Sequence, residues 1–150
     1  MKPTVKIIKL EDNVAKMVKA ATGDQLVKAL LAGGHVIEAH AKINANRIFS
    51  SKATNTLAGS IITEVDKAGR TDASVNVGPT VVYGRIQELG GVIKPVIAKM
   101  LSWVGDGGER IFANSVTLPP RPYLRPAVDE NLNDIQDAIA HQIKKNIEGA

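Results

Sequence analysis

The sequence predicts an α+β fold: an antiparallel β-sheet packed by a long helix in the N-terminal half and by a C-terminal helix. Three observations lead there. From Gln25 to about Ser51 apolar residues recur at helical spacing. The middle of the chain holds short β-prone segments separated by turns rich in Gly, Asp and Pro. From Tyr123 to Ile147 the helical period returns, with Leu124, Val128, Leu132, Ile135, Ile139, Ile143 and Ile147 spaced by four and three. Helices, then strands, then a helix is the order of a domain whose helices cover an antiparallel sheet.

The elements follow in chain order. Val5 to Leu10 is β-prone, and Glu11 to Ala21 suits a short helix with Val14 and Val18 on one side. Residues 1–22 are expected to form an N-terminal arm. Thr22-Gly23-Asp24 is a break, with Asp24 the expected N-cap of the long helix. On that helix Leu26, Leu30, Ile37, Ala41 and Ile48 lie roughly on one side, and Leu31 and Val36 widen the stripe. Gly33-Gly34 is its weak point, because each glycine costs about 1 kcal/mol relative to alanine. A kink or split would fall there.

Ser50 to Ser60 is small and polar and reads as a loop before a strand at Ile61 to Val65. Asp66 to Arg70 has the composition of a hairpin turn, and Ser74 to Gly78 alternates as a half-buried strand that Pro79 ends. Tyr83 to Leu89 suits one or two helical turns, stopped by Gly90-Gly91. Leu101 to Val104 is expected to pair with Arg110 to Leu118 across Gly105-Asp106-Gly107-Gly108. Residues 93–111 thus read as a hairpin insertion with a mobile, glycine-rich tip.

The segment Pro119-Pro120-Arg121-Pro122-Tyr123-Leu124-Arg125-Pro126-Ala127 stands apart. Each proline fixes φ and removes a donor, and the residue before each is pushed to extended geometry. The result is a stiff connector that aims the last helix, whose apolar stripe is expected to pack on the sheet. Two arginines bracket one aromatic in this corner.

Composition narrows the function. A length of 150 residues suits one domain, 1–150. The chain has no cysteine, which excludes disulfides, zinc–thiolate sites and thiol catalysis. Aromatics are only 3%, too few for a base-stacking platform. The net charge of +4 is modest for a nucleic-acid binder, which remains the alternative reading. No apolar run reaches the ~20 residues of a membrane span, and the N-terminus lacks a signal-peptide core. His35 and His40 lie about 140° apart around a helix and do not share a face as metal ligands would. Gly105 to Gly108 is not followed by the Lys-Ser/Thr of a phosphate-cradling loop, and Asn55 to Ser60 lacks a nucleophile elbow. A small hydrolase is therefore a third reading, behind the other two. No catalytic, cofactor-binding or metal-binding residue emerges, and no small-molecule substrate is expected.

Arg85 and Glu88 on the short helix, and Arg121 and Arg125 on the connector, invite a sharper reading. As solvated charges they need no explanation. The sharper reading is that the arginines, as guanidinium forks, pair with carboxylates on a neighbouring copy of the chain. With Tyr123, which the connector arginines bracket, they make up the candidate subunit interface.

Separated motifs share one resemblance. Ala53-Thr54-Asn55-Thr56-Leu57-Ala58-Gly59-Ser60-Ile61 resembles the Asp-Thr-Gly-x-Leu-x-x-Ser-Ile signature of neck and tail-completion proteins of long-tailed bacteriophages. Val77-Gly78-Pro79, Tyr83-Gly84 and Glu88-Leu89-Gly90-Gly91 are similar to that family's Val-Gly, Tyr-Ala and Glu-Phe-Gly-Gly segment. Pro120 to Ala127 is similar to its Ala-Arg-Pro-Phe-Leu-Arg-Pro-Ala motif. Ala53 departs from the family's acidic residue and Asn55 from its glycine. The resemblance spans about Gln25 to Ile147. It implies a structural virion protein, assembled in the host cytoplasm, that forms a ring of six copies at the head–tail junction. It implies other neck and tail proteins as partners, passive contact with DNA in the lumen, and no enzymatic activity or cofactor.

Overall fold

The computed structural model describes residues 14–49 and 55–149. The expected strand at Val5 to Leu10 and the start of the Ala53 motif lie outside them. Two compact units emerge: residues 1–80 with 123–150, and residues 81–122.

The first unit is built around one long helix. A short helix, α1, covers residues 14–20. Helix α2, Gly23–Ile48, follows it. Thr22, in extended geometry, takes the cap position expected of Asp24, which sits in the first turn. There its negative charge complements the helix dipole. Thr22 does not cap with its side chain, because its hydroxyl donates to the Lys19 carbonyl at 3.4 Å. Helix α2 runs through Gly33 and Gly34 without interruption.

Asn55–Ser60 forms a short helix, α3, where a loop was expected. The Ser60 hydroxyl donates to the Leu57 carbonyl at 2.7 Å, which favours a closed turn. Leu57 and Ala58 are buried, so the segment is small and polar only in part. The hairpin β1, Ile61–Ala68, with β2, Ala73–Pro79, is antiparallel, with Ile61 opposite Pro79 and Ala68 opposite Ala73. A bulge falls between Val65 and Lys67, where the Ser74 hydroxyl reaches Asp66 at 2.7 Å. Lys67 pairs with Asp72 across the turn. The hairpin end is tied to the start of α2 by the Gly23 N–H, which donates to the Arg70 carbonyl at 2.8 Å.

One side of α2 lies on this hairpin and another on the C-terminal helices. The spacing is set by small residues. A Cβ at Gly33 would stand 2.8 Å from Ile139 Cγ1, and a Cβ at Gly34 would stand 2.6 Å from Thr63 Cγ2. Ala29, Ala41 and Ala45 are fully buried on the same helix. Glu38 adds a polar tie. Its carboxylate accepts from the Thr63 hydroxyl of β1 at 2.8 Å and from Lys42 Nζ at 2.6 Å, with His35 Nδ1 at 3.5 Å. Burial pushes the Glu38 carboxyl up, but the Lys42 and Thr63 hydrogen bonds, the Lys42 charge and the His35 contact outweigh it. The net direction is down.

The C-terminal segment is two helices, not the single one expected: α5, Leu124–Asp129, and α6, Leu132–Glu148. The break has a local cause. Asn131 turns its side-chain amide onto the Ala127 carbonyl at 3.0 Å, the acceptor its own backbone N–H would use in a continuous helix. Helix α6 packs on α2 rather than on the sheet, as its stripe was expected to do. Asn146 fixes its far end by donating to the carbonyls of Ala20 and Gln25, both at 3.1 Å.

The second unit holds α4, Gly84–Leu89, and four short strands: β3, Gly91–Ile93, β4, Leu101–Val104, β5, Arg110–Ala113, and β6, Val116–Leu118. The expected hairpin forms between β4 and β5, but only as far as Ala113. The rest of the expected strand is β6, which pairs with β3. The glycine-rich tip is a turn in which the Gly105 N–H donates to the Glu109 carbonyl at 2.8 Å.

Two outcomes follow from this packing. Ile135 is 9% exposed against α2, so Ile135→Ala should cost about 2–5 kcal/mol in chemical denaturation. Leu132, on the same helix but 51% exposed, should cost under ~0.5 kcal/mol as alanine. The second outcome concerns acid. A carboxyl held below its ordinary 4.5 contributes stability that is present above that value and lost as pH falls through the lowered one. Glu38→Gln should therefore melt below the wild-type chain near neutral pH, and the gap should close on acidification below 4.5. A gap independent of pH would show that the charge contributes nothing.

Candidate assembly surface

The five interface candidates fall on two different supports. In the second unit, α4 carries Arg85 and Glu88. Its N-terminus follows a turn in which the Gly84 N–H donates to the Val81 carbonyl at 3.1 Å. Its C-terminus is closed by the Gly90 N–H on the Ile86 carbonyl at 2.8 Å. Gly90 has φ +70, and a Cβ there would stand 2.7 Å from Pro120 N and 2.8 Å from the Leu118 carbonyl oxygen. Only glycine meets both demands.

The proline connector closes the same frame. The Arg121 N–H donates to the Gln87 carbonyl at 2.9 Å, which satisfies one of the acceptors left over at the end of α4. Arg85 and Arg121 are exposed, and Glu88 is half-buried. Their backbones are thus held by one set of hydrogen bonds and by prolines, as a surface for charged recognition requires. Arg85 also lines a shallow groove of about 340 Å³ with Val82, Ile86, Leu89 and Gly90. Val82 is 97% exposed there, an apolar side chain with almost no cover.

Tyr123 and Arg125 belong to the first unit. Tyr123 is fully buried, which places it in the core and not among displayed residues. Its ring meets Phe49 edge to face, with centroids 6.2 Å apart. Its carbonyl accepts from Asn44 Nδ2 at 3.2 Å, and Asn44 Oδ1 accepts from Arg47 at 3.3 Å. The aromatic of the proline motif therefore anchors α5 to α2. Arg125 is exposed, with Nε 3.7 Å from Asp129 Oδ2 one turn along α5.

Asn44 and Asn146 were not singled out in the sequence, yet both tie separate elements together. The signal was available: asparagine is a poor interior helix residue, and one placed there commonly serves a specific hydrogen bond. His40 Nε2 lies 3.9 Å from Asp134 Oδ2, linking α2 to α6. Among the described residues no group of three or more His, Asp or Glu is placed to hold a metal ion, and no helix is long and apolar enough to cross a membrane.

The family comparison names the class. Residues 8–90 match the profile of the bacteriophage HK97 gp10-like family, described as a candidate tail component. The chain belongs to this family and is a phage tail-related structural protein. The match takes in α2, the β1–β2 hairpin and α4, and ends before the proline motif. No curated protein and no solved structure matches the chain.

Proposed function

We propose that this protein is a neck or tail-completion component, which closes into a ring of like copies at the junction of head and tail. Six copies are the number the sequence resemblance implies. The observation that carries the reading is the state of residues 81–122. This unit has one buried residue, Gly84, and holds eleven of the seventeen large apolar side chains exposed among the described residues. A contiguous stretch with that much apolar surface and no core of its own is built to be covered. A repeated partner covers it economically, because one head-to-tail contact closes a ring.

The other neck and tail proteins supply the surfaces above and below such a ring. The small positive net charge suits a lumen through which DNA passes without being read. No group in the chain is asked to do covalent chemistry under this reading.

Arg121 and Arg85 test it. Lysine keeps the charge but loses the planar fork. Arg121→Lys and Arg85→Lys should leave the melting temperature of the isolated chain unchanged, because both side chains are exposed. Head–tail joining should fall, since the planar two-point pairing is lost in each repeated contact. Filled heads and separate tails should accumulate in micrographs. Normal joining with both variants would return these arginines to ordinary surface charge, and single unrepeated copies in particle images would end the ring reading.

A further inference from the structure

The second unit carries both halves of a contact that it does not make with itself. One half is a groove of about 370 Å³, walled by Ile93 and Val116 of the β3–β6 pair and by Leu101, Ser102 and Trp103 of β4. Ser102 contributes the one hydroxyl side chain in this lining. The volume is near the low end of small-ligand sites, roughly 300–1,000 Å³, but such sites also present converging polar groups to orient a ligand. This groove does not, so its chemistry selects aliphatic side chains.

The other half is the bend between β3 and β4. Val96 is 96% exposed and Ile97 is 100% exposed. Pro95 fixes the backbone immediately before them, and Lys94 is held to extended geometry by the proline that follows it. Two branched aliphatic side chains are thus held out into water on a stiffened base. Nothing in their own unit covers them, although an apolar groove stands open in the same forty-odd residues.

We infer that Val96 and Ile97 of one copy seat in the Ile93–Leu101–Trp103–Val116 groove of the next copy. The charges around the two halves favour this occupant. Lys94 and Lys99, both exposed, flank the aliphatic pair. Asp106, Glu109 and Arg110, also exposed, lie at the tip of the hairpin whose strand β4 walls the groove, two negative charges against one positive. The two lysines beside the aliphatic pair and the net negative charge of that hairpin tip attract between copies and favour one register of docking. Because the aliphatic pair and the groove are different surfaces, the contact is heterologous, and each copy offers one of each to its neighbours. The inference rests on the ring reading above and names its contact.

The chain lacks cysteine, so introduced thiols report the contact cleanly. Two differently tagged single variants, Ile97→Cys and Ser102→Cys, are incorporated together into particles and oxidised. A disulfide forms only where Cα atoms come within about 4.4–6.8 Å. The expected product is a mixed cross-link between the two tags, with none when either variant is used alone. A companion variant, Ile97→Asp, should melt as wild type, because the side chain is fully exposed, while head–tail joining drops roughly tenfold or more. Particle images taken alongside separate the two readings. Repeated copies without the mixed cross-link overturn this contact and leave the ring standing. A cross-link from Ile97→Cys alone also overturns it, because it would make the contact symmetric. Single unrepeated copies overturn contact and ring together.

Discussion

The close approach at Gly33 and Gly34 is the constraint on which the first unit depends. Consecutive residues on a helix point about 100° apart. A Cβ on Gly33 would meet Ile139 and Ile135 of α6, and a Cβ on Gly34 would meet Thr63 and Val75 of the hairpin. The two glycines therefore let one helix lie against two layers at once. The polar ties follow from that proximity. Glu38, one turn along, reaches Thr63. Asn44, further along the same helix, reaches the Tyr123 carbonyl and so ties the start of α5 to α2. Six of the eleven buried apolar side chains among the described residues are alanine, as expected of a core made by close backbones more than by large side chains.

The two units divide the physical work. All eleven buried apolar side chains among the described residues lie in the first unit, and no buried side-chain polar atom among the described residues lacks a partner. Residues 81–122 leave theirs open. Within that unit the Gly84, Gly90 and Arg121 N–H groups are paired on the carbonyls of Val81, Ile86 and Gln87.

Much of this was legible in the sequence, and the misses have physical causes. The long helix, the hairpin at Asp66 to Arg70, the stop at Gly90-Gly91 and the α+β class all follow from periodicity and turn chemistry. Gly33-Gly34 was legible as a weak point because intrinsic propensity is a local cost, whereas the gain of close packing is tertiary. For the same reason the buried side of α2 was sought among Leu26, Leu30, Ile37, Ala41 and Ile48; of these only Ala41 is buried, together with Ala29, Gly33, Gly34, Asn44 and Ala45. The break at Asn131 was hidden by an apolar stripe that continues on either side of it. Tyr123 and the arginines two places away on either side would share one face of an extended segment, but α5 begins at Leu124 and the Tyr123 ring is buried. The exposed pair Val96-Ile97 reads in sequence as ordinary strand-like material and gains meaning only from its full exposure.

The central claim is that α2 holds its two layers through a contact only glycine permits. Thermal melts of Gly34→Ala and Gly59→Ala test it most directly. Both replace a helical glycine, and alanine should gain up to about 1 kcal/mol in helix propensity at each. Gly59 has no described atom within 4 Å of the new methyl, so Gly59→Ala should raise the melting temperature. At Gly34 the methyl would meet the stiff, β-branched Thr63 at 2.6 Å, and overpacking of about 1–3 kcal/mol should exceed the gain. Gly34→Ala should therefore lower the melting temperature. Thr63→Ser in that background should recover part of the loss, since it removes the clashing methyl and keeps the hydroxyl for Glu38. A Gly34→Ala chain that melts as high as Gly59→Ala would contradict the account.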